Sequence, residues 1–139
     1  MLLGAELLQE TLRQVRAGTA PRIAQLHARA TFAPKLIRED AFLDFNRPAA
    51  ELERLVRGMN PWPGAHTVIK GENCKIWRAK MRPEMDVPGR ILAIDDEGLL
   101  VGCGHGSILL MELQRPNAKP VSGLDFANGF RLAVGGRLT

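Results

Sequence analysis

A chain of 139 residues has room for one compact domain and a tail, which excludes two full domains, and 45% apolar residues are enough to fill one core, which excludes a disordered chain. No apolar run is longer than four residues, far short of the roughly 20 that a membrane-crossing helix needs, and no signal-peptide pattern opens the chain, so a soluble, cytoplasmic protein with no membrane partner is expected. The balance of 19 basic against 15 acidic residues leaves a net charge of +4, carried mainly by Arg, which suits forked contacts with phosphate oxygens and equally a solvated surface.

Leu3, Leu8, Leu12 and Val15 recur at spacings of 5, 4 and 3, with Glu6, Glu10, Arg13 and Arg16 elsewhere, which predicts one amphipathic helix over 2–16 that Gly18 stops. From 19 to 45 the periodicity weakens. Pro21 and Pro34 interrupt it, and Arg22, Arg29, Lys35 and Arg38 keep it basic, as in a linker wrapping over a domain. The C-terminal domain is expected over 46–139. A second helix follows Asn46, a good cap, with Pro48 in its first turn and Leu52, Leu55, Val56 and Met59 at i, i+3, i+4 and i+7. Gly58 ends it, and Pro61 and Pro63 forbid any continuation, because each lacks a donor and restricts the residue before it.

Beyond Gly64 the period changes to two. His66–Lys70, Cys74–Met81, Gly89–Asp95, Leu99–Cys103 and Ser107–Gln114 read as five short strands, parted by Gly71-Glu72-Asn73, Asp96-Glu97-Gly98 and Gly104-His105-Gly106. In the second strand Trp77, Ala79 and Met81 are expected on the core face and Arg78 and Lys80 on a basic face. The fold class expected is α+β, mainly β: a small, open antiparallel β-barrel of the oligonucleotide-binding type with flanking helices. Ser122 and Asp125 open a short final helix that Gly129 closes.

The motifs that could carry chemistry do not assemble a catalytic set. Gly102-Cys103-Gly104-His105-Gly106 follows a strand as a phosphate loop does, yet leads into Ile108-Leu109-Leu110-Met111 with no helix and no Lys-Ser/Thr, so it reads as a hairpin turn. Cys103 and His105, two apart on that turn, lack a third group to orient a base. Cys74 and Cys103 lack Cys-x-x-Cys spacing and read as reduced core residues, and His27, His66 and His105 lack ligand spacing, so no metal site is expected. In Asn60-Pro61-Trp62-Pro63-Gly64-Ala65 two prolines fix the backbone around a Trp, which reads as a rigid corner with a buried ring rather than a stacking platform for a base.

That run, followed in order by Lys75-Ile76-Trp77-Arg78-Ala79, Pro88-Gly89, Leu113-Gln114-Arg115-Pro116 and Asp125-Phe126-Ala127-Asn128-Gly129, resembles the C-terminal part of methionyl-tRNA formyltransferases. Upstream, Ala30-Thr31-Phe32-Ala33-Pro34-Lys35-Leu36 is similar to the family's linker, with Phe32 where Tyr is usual, and Gly4-Ala5-Glu6-Leu7-Leu8 to the last helix of its catalytic domain.

The resemblance implies a two-domain enzyme that moves a formyl group from 10-formyltetrahydrofolate to methionyl initiator tRNA. The catalytic groups and the folate site belong to an N-terminal Rossmann-like domain, of which 1–18 would be the last helix. No residue of this chain inherits a catalytic or cofactor-binding role, and the chain alone is expected to be inactive. Its part would be to hold the tRNA body through Lys35, Arg38, Lys70, Arg78, Lys80, Arg82 and Lys119, contacts that position RNA without reading bases. The expected partners are initiator tRNA, the N-terminal domain, and a second copy paired through the 2–16 helix. The rival readings are the similar C-terminal domain of a sugar-nucleotide formyltransferase or a formyltetrahydrofolate-hydrolysing enzyme, or an interaction domain that uses its first helix.

Overall fold

Helix α1 (Leu2–Ala17) forms where the apolar spacing places it. The structure is a computed structural model describing residues 2–138, and the chain divides after Pro34 into two units. In the first, Glu10 accepts from Arg13 at 2.9 Å and from Gln14 at 3.0 Å on one side of α1. Gly18 takes φ +68°, which lets its N–H reach the Val15 carbonyl at 3.1 Å and the Thr19 N–H reach that of Gln14 at 2.9 Å, closing the helix. Leu3, Leu8, Leu12 and Val15, joined by Leu7, remain exposed. A single 3₁₀ turn, His27–Arg29, follows.

The second unit starts at Lys35 and therefore takes in residues 35–45, which the loss of periodicity assigns to the linker. Ala41, Leu43 and Phe45 are buried in its core, and the Leu43 N–H donates to the His66 carbonyl at 2.8 Å. Ala41 ends a 3₁₀ turn (Arg38–Ala41) and Phe45 lies in a turn, so these three buried residues at alternate positions are a signal too short and irregular to stand out from a linker. Helix α2 (Ala49–Met59) starts later than the Asn46 cap predicts. Asn46 instead donates to Asp44 Oδ1 from its backbone at 3.0 Å and its side-chain amide at 2.7 Å, and Pro48 stands at the cap position. The Ala49 N–H is satisfied by the His105 carbonyl at 2.9 Å. Gly58 lies within the helix, which runs one residue further.

Strands β1 (His66–Ile69), β2 (Glu72–Arg82), β3 (Ile91–Asp95), β4 (Gly98–Gly102), β5 (Ser107–Gln114) and β6 (Val121–Ser122) precede helix α3 (Gly123–Phe130). All pairings are antiparallel, in the order β1-β2-β5-β4-β3, with the short β6, absent from the sequence reading, against the far end of β5. The β1–β2 turn is Lys70-Gly71, both at positive φ (48° and 81°), so Glu72 and Asn73 belong to β2 rather than to the turn. β5 pairs on both sides and is buried over Ser107–Leu110, which explains the continuous apolar run from Ile108, while Met111 at its end is half-buried.

No pairing joins β1 to β3, so the barrel is open, as expected. Its edges are covered without strands: residues 42–43 lie along β1, and near the C-terminus Ile91 donates to the Gly136 carbonyl and receives from the Gly135 N–H, both at 2.8 Å. The core joins Leu43, Leu52, Val56, Ile76, Leu110 and Phe126 with their neighbours, and Phe126 stacks on Phe130 at 4.6 Å. Ser122 caps α3 by accepting from the Asp125 N–H at 3.0 Å, as predicted. The helix closes one turn-position late, with Arg131 rather than Gly129 taking the left-handed backbone (φ 50°). Among the described residues no helix is long and apolar enough to cross a membrane.

Candidate nucleic-acid interface

Unpaired positive charge collects on the outside of β2. Cys74 and Ile76 face the core, so alternation turns Lys75 outward. The register against β5 then slips on either side of Arg78, which pairs with Glu112 between the regular pairs Ile76–Leu113 and Ala79–Leu110. After the slip Ala79 packs against the core, leaving Arg78 and Lys80 exposed. Trp77 is half-buried, with its Nε1–H donating to Gln114 Oε1 at 2.8 Å and the Lys75 Nζ 5.6 Å from its ring centroid. Met81 does not join the core face expected for it. It is 45% exposed and lines a shallow pocket with Ala49 and Ala50 of α2.

Helix α2 anchors through Leu52 and Val56, which sets the neighbouring Arg57 over the strand. Arg57, Arg78 and Lys80 line one groove with Trp77 and Met111, and Glu53 is the acidic residue of its wall. A second groove is lined by Arg38, Trp62, Pro63, His66 and Lys75. Lys75 connects the two, since it walls the second and lies over the ring that walls the first.

The corner between α2 and β1 is rigid, as the sequence predicts, but its ring is not buried: Trp62 is 62% exposed. Burial of a large apolar side chain is the general tendency, yet here the corner is held by other groups. The Asn60 amide donates to the carbonyls of Ile76 and Trp77 at 3.2 and 3.1 Å, and the Gly64 N–H, at φ +92°, donates to Met59 O at 2.9 Å. Both peptide bonds into the prolines, Asn60-Pro61 and Trp62-Pro63, are cis.

Of the seven cations expected to meet RNA, the fold brings Arg78 and Lys80 together and sets Arg38 at the second groove. Lys70 and Arg82 are already used: the Lys70 Nζ donates to the Phe130 carbonyl at 2.7 Å, and Arg82 pairs with Glu97 at 2.8 Å. Lys35 and Lys119 are exposed and line neither groove. Sequence reasoning omits Arg57 and Lys75. Lys75 is signalled by its place between inward Cys74 and Ile76, and Arg57 by following the buried Val56 near the end of α2. Of the other arginines of this unit, Arg47 pairs with Glu51, Arg90 with Asp86, and Arg115 makes a two-pronged contact with Glu72, whereas Arg54, Arg131 and Arg137 have no carboxylate partner among the described residues. Among the described residues Arg38, Arg57, Lys75, Arg78 and Lys80 have no carboxylate partner.

The fold is an open antiparallel barrel with flanking helices and exposed cations along its outer face. Residues 35–131 match the model of the formyl transferase C-terminal domain, and the chain belongs to that family. It is 41% identical over 137 residues to a methionyl-tRNA formyltransferase of Geobacter metallireducens, covering 99% of this chain and 44% of the relative. Identity to the enzyme of Geobacter sulfurreducens is 43% over 136 residues, covering 98% and 43%, and to that of Bacillus subtilis 40% over 135, covering 95% and 43%. The chain thus spans less than half the length of these relatives. Its fold is similar to part of HypX from Aquifex aeolicus, solved in complex with tetrahydrofolic acid, with a TM-score of 0.65 at 20% identity over 93% of this chain and 23% of that one.

Proposed function

We propose that this chain is the tRNA-holding module of a methionyl-tRNA formyltransferase, in the cytoplasm, and that formyl transfer from 10-formyltetrahydrofolate to initiator methionyl-tRNA is the work of an N-terminal half such as its longer relatives have. The observation that carries the reading is the set of exposed cations Arg57, Arg78 and Lys80 along one groove, with Lys75 and Arg38 continuing it, none of them matched by a carboxylate among the described residues. Charges left unneutralised in a row attract a phosphate backbone and release its counterions. The apolar stripe Leu3, Leu8, Leu12 and Val15 of α1 would serve the catalytic half, or a second copy when that half is missing.

Titration of the purified chain with tRNA over a range of salt concentrations tests this. Binding in the range of roughly 10⁻⁴–10⁻⁶ M is expected, falling steeply with salt. Replacing Arg78 and Lys80 together by Ala makes the log–log salt slope shallower by about 2. A salt-independent affinity, or an unchanged slope in the double variant, would count against the module.

A further inference from the structure

The two tryptophans of the cationic surface differ in how much they are already engaged. Trp77 has its indole N–H bonded to Gln114, a cation over its ring, and a half-buried position. Trp62 has most of its surface in solvent. Keeping a large apolar ring in water opposes the hydrophobic effect, so an unengaged ring on a fixed corner is a surface waiting for a flat apolar partner. The corner is fixed by the Asn60 amide on two carbonyls of β2 and by the Gly64–Met59 hydrogen bond, so little ordering remains to be done on binding.

The identity of that partner follows from what flanks the ring. Arg38 and Lys75 line the same groove as Trp62, and neither has a carboxylate partner among the described residues. A flat apolar face in a groove that also holds two cations matches a nucleotide, whose base offers a π-face while its phosphates offer negative charge to the cations. An apolar protein segment would match the ring but leave both cations without a counter-charge. We infer that Trp62 is a stacking platform for one unpaired nucleobase of RNA, with Arg38 and Lys75 holding the phosphates beside it. The inference rests on the RNA-binding reading above and adds to it: the module distinguishes unpaired from paired nucleotides, which phosphate contacts alone do not do.

The test uses three RNA probes with the same number of phosphates: a single strand, the same strand with abasic sites, and a blunt duplex of half its length. The full chain should prefer the single strand, and Trp62→Ala should weaken that binding about 5- to 150-fold, the range one stacked base carries, while leaving duplex binding unchanged. Trp62→Phe, which keeps a ring on the corner, should recover most of the loss. In a Trp77→Phe chain, where Trp62 is the remaining indole, the single strand should quench the fluorescence and the abasic strand should not. If the chain binds all three probes with the same salt-dependent affinity, or Trp62→Ala binds the single strand as the parent does, the platform is wrong while the RNA-binding module stands, and the ring is a surface for a protein partner. If no probe binds at any salt concentration, the module itself is wrong and the platform falls with it.

Discussion

The two sides of the barrel use the same strand chemistry for opposite ends. On the side of β4, the first half of β5 and α3, backbones meet so closely that side chains are excluded: a Cβ on Gly123 would stand 2.2 Å from the Leu110 carbonyl oxygen, and one on Gly98 2.4 Å from the same atom. On the side of β1, β2 and α2, the outer surface is loose, cationic and marked by an exposed Trp. Both sides contribute to the buried core on which folding depends, whereas the exposed cations of the second side are, on the reading proposed above, what meets RNA. Substitutions should therefore separate cleanly into those that change stability and those that change binding.

The largest effects fall on the packed side. Phe126→Ala, which removes a ring that is 2% exposed and stacked on Phe130, should cost about 3–5 kcal/mol in denaturant unfolding. Gly123→Ala should cost about 1–3 kcal/mol or more, because the obstructing atoms are backbone and cannot swing aside. A Gly123→Ala chain as stable as the parent would show that α3 is free to lift from β5, and the contrast between the sides would weaken.

The interiors of the two sides are alike, and the cysteines sharpen that point. Cys74 lies under β2 and Cys103 at the end of β4, and burial pushes each thiol up to about 11 from an ordinary value of 9.0. In each case the folded state holds its proton more tightly than the unfolded one. Stability is therefore complete below about pH 9 and falls as the pH rises towards 11, where the unfolded chain ionises first. Unfolding midpoints at pH 8 and pH 10.5 should drop in the parent and drop less in a Cys74→Ala, Cys103→Ala chain. An equal drop in both would assign the alkaline sensitivity to other groups. Both thiols should also resist alkylation at pH 8 until the chain is unfolded.

On the loose side the expected effects on stability are small. Trp62→Ala should cost about 1 kcal/mol or less, in contrast to the 3–5 kcal/mol of a buried ring, since surface positions usually change stability by no more than about half a kcal/mol. Thermal melts of Trp62→Ala beside Trp77→Ala measure this: the half-buried, hydrogen-bonded Trp77 should lose more. If the order is reversed, the corner depends on the Trp62 ring, and the sequence expectation of a buried ring is right in energy though not in exposure.

That expectation shows where the sequence stops being legible. Periodicity placed α1, α2 and all of the longer strands, because each buries one face at a regular spacing. It failed where one local arrangement wins over another of similar propensity, as where Asn46 serves Asp44 instead of the helix and Arg131 takes the left-handed backbone instead of Gly129, and where 41–45 lies on the core without a repeat to announce it. The site divides in the same way. Arg78 and Lys80 share a strand, so alternation groups them, whereas Arg57 joins them only because α2 packs on β2, and Lys70 and Arg82 leave the set because Phe130 and Glu97, distant in sequence, take them up.

The smallest effect concerns Asp44, at the entry to α2. Its carboxylate accepts first from the Asn46 N–H, then from the Asn46 side-chain amide, and these bonds hold its pKa below the ordinary 3.8, helped by the charge of Arg47. A carboxyl whose folded value is depressed contributes stability that is present above its unfolded value and is lost as the pH falls through the folded one. The Asp44 turn also sets the path from buried Leu43 and Phe45 into α2, since the Arg47 N–H donates to its carbonyl at 3.0 Å. Asp44→Asn keeps an oxygen to accept from Asn46 and removes the charge. The variant should fall slightly below the parent at pH 7, and the gap should narrow as the pH is lowered to 2.5. Urea midpoints at the two pH values decide the matter. If the gap is as wide at pH 2.5 as at pH 7, Asn is a poor geometric substitute and the charge contributes nothing. In that event the loose side of the barrel holds its entry turn by backbone shape alone, as the packed side does.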